Sequence, residues 1–259
     1  MANRVSRAAG RALAAYLQRP VGKYVHFAVT PVRLLRQALQ PGDVLLVEGN
    51  TRISGAIKYL THSTWSHAAF CVNPDGSGPE LIEADLEDGV RRISLERYAE
   101  LNTRICRPVG LSPEDLDTVV GYMVSSVGRQ YDLKNVVDLV RYLLPQPPVP
   151  RRWRRRMLAL GSGDPTRAIC STLIAEAFQQ VRYPILPEIW AGCPAHCANE
   201  ILAIRHHSLY VPRDFDLSPY FRIVKPTVET GFDYRRLNWH EDPAGAVPGM
   251  FPESKQSES

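Results

Sequence analysis

At 259 residues with 44% apolar content, the chain is long enough for one large domain, or one domain with decorations, around a real core. A net charge of +4 is too mild and too dispersed to argue for nucleic acid, and no long early apolar run reads as a secretory signal or a membrane span. Five cysteines without a regular framework suit a reducing compartment, so a cytoplasmic location is expected.

Taken in chain order, residues 3–19 read as a short basic amphipathic helix with Val5, Ala9, Leu13 and Tyr16 along one face. It is expected to pack on its own domain rather than on a membrane. Residues 1–40 form this N-terminal segment, and the folded body, 41–230, is expected to start at the turn Pro41-Gly42. A strand over 43–48, a short helix over 54–61 and a strand over 64–72 follow. Turn formers crowd 73–79, and strands over 80–85, 90–95 and 103–108 complete an antiparallel meander.

Ser112 as N-cap, Pro113 at the first helical position and Glu114-Asp115 in the first turn start a helix running to about 126. Gly128-Arg129-Gln130-Tyr131-Asp132 leads into a second helix ending near 144. An insertion at 145–163 is stiffened by prolines and then carries the basic run Arg151-Arg152-Trp153-Arg154-Arg155-Arg156. After Asp164-Pro165-Thr166, an amphipathic helix spans 171–180 with Cys170 at its start. A last strand is expected over 220–224, and residues 231–259 read as a poorly ordered tail.

The chemistry concentrates in Cys170 and His67. A thiol is a useful nucleophile only as thiolate, and a helix N-terminus with a neighbouring imidazole favours that state. The hairpin between the second and third strands supplies a third member. With its turn centred on Asp75, His67 stands opposite Glu83, on one face of the sheet and within hydrogen-bonding reach. Such a carboxylate fixes the imidazole tautomer and stabilises its cation. Asp85, on the same face, is the fallback.

These residues lie within blocks that carry a resemblance. Pro41-Gly42-Asp43-Val44-Leu45-Leu46-Val47, Ser63-Thr64-Trp65-Ser66-His67-Ala68 and Gly89-Val90 resemble the YiiX/YebB-like branch of the NlpC-type cysteine hydrolases. So do Gly128-Arg129-Gln130-Tyr131-Asp132, Cys170-Ser171-Thr172-Leu173-Ile174 and Pro212-Arg213-Asp214-Phe215. The resemblance covers about residues 40–225. It implies an α+β, circularly permuted papain-like fold, an antiparallel sheet packed against helices, with the histidine strand ahead of the cysteine helix. It also implies Cys170 as nucleophile, His67 as general base and Glu83 as the third polar residue. Lecithin:retinol acyltransferase-like proteins share the permutation but usually carry a second histidine in the third role. The basic N-terminal segment and the insertion ahead of the cysteine depart from a minimal member.

The expected reaction is amide hydrolysis through a thioester on Cys170, without cofactor, on a small peptide or lipid-linked amide. A lipid-directed acyltransferase or thioesterase, and an inactive binding protein on the same fold, are the alternatives. Tyr131, Ser66 and Trp65 are candidate substrate contacts, although Tyr131 is equally readable as a packed ring beside a helix cap. The arginine run is either an ordinary surface insertion or a lid resting on anionic membrane. Cys193-Pro194-Ala195-His196-Cys197 fits no familiar zinc pattern, so no metal is expected. Cys71 and Cys106 fall in strands and read as core thiols.

Overall fold

Val44–Val47 is apolar and buried at every position, the pattern of a strand covered on both faces. The computed structural model describes residues 16, 19–20, 29–73, 76, 78–85, 88–130, 169–189, 202–233 and 235. Within them this strand, β1, lies inside a six-stranded antiparallel sheet with β2 (His67–Val72), β3 (Glu80–Asp85), β4 (Gly89–Ile93), β5 (Thr103–Pro108) and β8 (Phe221–Val224). The order across the sheet is β4-β3-β2-β1-β5-β8. Helices α1 (Val32–Ala38), α2 (Arg52–Thr61), α3 (Pro113–Ser125), α4 (Ile169–Gln180), α5 (Pro212–Leu217) and α6 (Pro226–Glu229) make the class α+β. A short ribbon of β6 (Glu188–Ile189) and β7 (Leu202–Ala203) stands apart.

Strand alternation sorts the core into two layers. Val44, Leu46, Ala68, Phe70 and Ile82 face Val119 and Met123 of α3 and Leu173, Ile174 and Phe178 of α4. Phe178 meets Phe70 and Phe221 edge-on, with ring centroids 6.1 and 5.4 Å apart. On the other face Leu45, Val47, Cys71 and Leu81 pack with Leu35, Leu39, Leu95 and Tyr98. Cys71 and Cys106 are fully buried, and burial pushes both thiols well above the ordinary range.

Most predicted elements are present, with instructive shifts. The folded body starts before Pro41, because Leu35 and Leu39 on and after α1 are core residues. The strand expected over 64–72 begins at His67, and Trp65-Ser66 form its approach. The strand expected over 90–95 stops at Ile93, and Leu95–Tyr98 turns into a 3-10 helix that carries Tyr98 into the core. Ser112 caps α3 as expected, its hydroxyl accepting from Asp115 N–H. Buried Asp43, just ahead of β1, and half-buried Arg107 of β5 add an ion pair, with two Arg107 nitrogens each 2.7 Å from an Asp43 oxygen. Apart from Tyr16 and Arg19, the helix near 3–19 lies outside the described residues, as do the one over 132–144, the 145–163 insertion, the 193–197 cysteine cluster and the tail beyond 235.

Candidate active site

The site is assembled where β2 begins. His67 is its first residue, paired to Val47 of β1 on one side, while the ladder to β3 is formed at Phe70, Cys71 and Val72. Cys170 lies in the first turn of α4 and packs with the α4-side core. Glu83 shares the opposite sheet face with Leu81 and Tyr98. His67 reaches both. Its Nε2 lies 2.7 Å from Glu83 Oε2, and the Cys170 sulfur is close enough to act on the ring. With Nε2 turned to the carboxylate, Nδ1 is left for the sulfur.

The register that brings Glu83 there differs from the expected one. Phe70 pairs with Ile82 and Val72 with Glu80, so the hairpin is centred on Gly76 rather than Asp75. Carried to the start of β2, that register sets Asp85 opposite His67 and makes Glu83 the diagonal neighbour. A slip of two residues preserves the face, and a glutamate is long enough to span the diagonal. Asp85 is occupied instead by Arg91, Nη2 at 3.3 Å.

Glu83 is buried and saturated with donors. Oε2 accepts from His67 and from the Tyr98 hydroxyl, while Oε1 accepts from Arg91 Nε at 2.9 Å, with Arg97 Nε 3.4 Å away. Burial alone would raise its pKa, but the His67 hydrogen bond and charge, then Tyr98 and Arg91, overcome this and lower it to about 2. Burial would likewise depress the His67 imidazole. The charge and hydrogen bond of Cys170, followed by those of Glu83, outweigh it and raise the imidazole to about 10. At neutral pH the ring is therefore a cation beside the Glu83 carboxylate and the Cys170 sulfur.

The other sequence-predicted site residues separate from this group. Ser66 is buried and its hydroxyl accepts from Gly49 N–H at 2.9 Å, so it holds a turn. Trp65 is also buried. Its indole donates to Asp216 at 3.0 Å beneath the Arg104 guanidinium, in a neighbouring cleft. Tyr131 lies outside the described residues. The segment just before it docks beside β4, where Val90 N–H donates to Arg129 C=O at 3.0 Å. Gly89 is required there: its φ is +72°, and a Cβ would stand 2.3 Å from the Arg129 oxygen.

Sequence reasoning missed Tyr98 and Arg91. Arg91 was findable, because β3 and β4 are joined by a tight turn and Glu83 pairs directly with Arg91 across it. Tyr98 carried no comparable signal, since it arrives from a 3-10 helix outside the ladder. No group of three or more metal-ligating side chains occurs among the described residues.

No protein-family model matches the chain, and no curated protein matches it. Among solved structures it is similar to the crystal structure of the metalloprotein yiiX from Escherichia coli O157:H7, DUF1105. Identity is 17%, the TM-score is 0.46, and the match covers 73% of this chain and 97% of that one.

Proposed function

We propose that this protein is a cysteine hydrolase of the amidase or peptidase type, built on a circularly permuted papain-like fold. The observation that carries the reading is the contact of the Cys170 thiol and the Glu83 carboxylate with one imidazole, His67. The strand histidine preceding the helix cysteine in the chain agrees with the permuted order.

In this mechanism His67 has taken the thiol proton before substrate arrives. The Cys170 thiolate attacks the amide carbonyl carbon, and the oxyanion meets backbone N–H groups of the first turn of α4. As the C–N bond breaks, the imidazolium gives its proton to the leaving nitrogen, leaving a thioester and a neutral ring. Water then attacks the thioester, and His67 takes one of its protons. The C–S bond breaks, releasing a carboxylic acid and restoring the thiolate–imidazolium pair. Glu83 stays ionised throughout and holds Nε2–H, so Nδ1 remains the atom that exchanges protons.

Brief treatment with iodoacetamide near neutral pH, followed by peptide mass spectrometry, tests the pair. Cys170 should label well ahead of Cys71 and Cys106, whose thiols burial keeps protonated, and His67→Ala should slow that labelling at least tenfold. Preferential labelling of Cys71 or Cys106 would overturn the assignment.

A further inference from the structure

A cleft of about 410 Å³ opens beside the candidate active site, and its lining includes none of Cys170, His67 and Glu83. It lies at the same end of the sheet as His67. Val47 pairs with His67 on one side and with Thr103 on the other, and Thr103 lines the cleft with Glu48, Trp65, Arg104, Arg213 and Asp216.

The hydrogen-bonding capacity of this lining is lopsided. Both carboxylates are occupied. Glu48 takes Lys58 Nζ at 3.2 Å and Asn102 Nδ2 at 2.8 Å. Asp216 takes the Trp65 indole at 3.0 Å and Arg104 Nη1 at 2.7 and 2.8 Å. The donors are not exhausted. Arg104 reaches Asp216 through Nη1, leaving Nε and Nη2, and the Trp65 ring 5.0 Å below fixes the plane of the guanidinium. Arg213 donates through Nη1 to Thr61 C=O and forms no ion pair among the described residues. What remains is two guanidinium edges lining one cleft, with the acids already matched. An oxyanion, which accepts several N–H donors at once, is the complement.

We infer that this cleft binds the carboxylate or phosphate group of a small ligand through Arg104 and Arg213. The inference rests on the lining alone. If the hydrolase reading holds, the cleft seats an anionic part of the substrate beside the reacting amide.

The test is direct binding to the full-length protein. Inorganic phosphate and succinate are titrated separately at constant ionic strength by calorimetry, with the Trp65 indole N–H resonance as a local reporter. Saturable binding of either probe with a shift of that resonance is expected, and the probe that binds identifies the chemistry as phosphate or carboxylate. Arg213→Gln should weaken binding at least tenfold. Arg213→Lys keeps the charge but loses the fork, so it should also weaken binding if Arg213→Gln proves unstable. Cys170→Ala should bind as the parent does, which separates this test from the fate of the hydrolase reading. Failure of both probes to saturate, or unchanged affinity in a folded Arg213 variant, would overturn the inference.

Discussion

Glu83 is where local chemistry departs most from the ordinary behaviour of its residue type. A buried carboxylate usually resists ionisation, yet this one meets an imidazole, a phenol and two guanidinium groups. Its proposed service is to keep His67 cationic, which leads to a prediction about the alkaline side of activity. The thiolate–imidazolium pair should persist until the imidazolium loses its proton near pH 10. Glu83→Gln removes the negative charge, so the alkaline fall in turnover, which needs the imidazolium as proton donor, should move to lower pH. The same variant should reduce turnover less than Cys170→Ala, because an orienting group supports the reaction whereas the sulfur makes the covalent bond. An unmoved alkaline limb would show that Glu83 does not act through His67.

At the scale of elements, the ties between β1, β2 and β5 decide whether the site exists at all. β1 positions His67 through Val47, and β1 is itself joined to β5 by the Asp43–Arg107 pair. Burial pushes the Asp43 carboxyl up, and the two Arg107 bonds work against that, so the aspartate depends on its partner. Removing Arg107 alone leaves a buried carboxylate held only by the Gln40 N–H at 2.8 Å and the more distant charge of Arg222. Arg107→Leu should therefore cost about 3–5 kcal/mol in urea or thermal unfolding, whereas removing both partners together should cost less. Equal losses in the single and double variants would place the effect in packing rather than in the buried charge. Phe178 secures α4 on the same sheet by edge-on contacts, which keeps the first turn of that helix, and Cys170 with it, over the start of β2.

For the whole molecule the same groups define a pH window. Glu83 has its folded pKa lowered from 4.5 to about 2, so its stabilisation is present above 4.5 and fades as pH falls toward 2. His67 has its folded pKa raised from 6.5 to about 10, so its stabilisation is complete below 6.5 and is lost as pH rises toward 10. The pair therefore contributes most between about 4.5 and 6.5, and melting temperature measured across pH should show this as a difference between parent and Glu83→Gln. Tyr98→Phe removes one donor to Glu83, so its acid-side loss should begin at higher pH than in the parent. Superimposable profiles for all three proteins would mean that the network carries no linkage to folding. No helix among the described residues is long and apolar enough to cross a membrane.

What the sequence determined by itself is local and periodic. The all-apolar run of β1, the turn formers after Val72, the Ser112 cap and the helix that follows Cys170 each report a short-range preference visible in one stretch of chain. The shared face of His67 and Glu83 was legible too, because strand parity survives an even error in register. The register itself was not, since turn formers crowd the whole connection and any of several could sit at its centre. Nor was the proximity of Cys170 to His67 written in either segment. The two residues come from opposite layers of the molecule and meet only because α4 is packed across the sheet at the end where the β2–β3 ladder stops. Tyr98 and the arginine-lined cleft belong to the same category. Each depends on side chains distant in sequence being brought together by burial of apolar surface, a non-directional force that fixes which faces meet without marking the polar residues that will be neighbours.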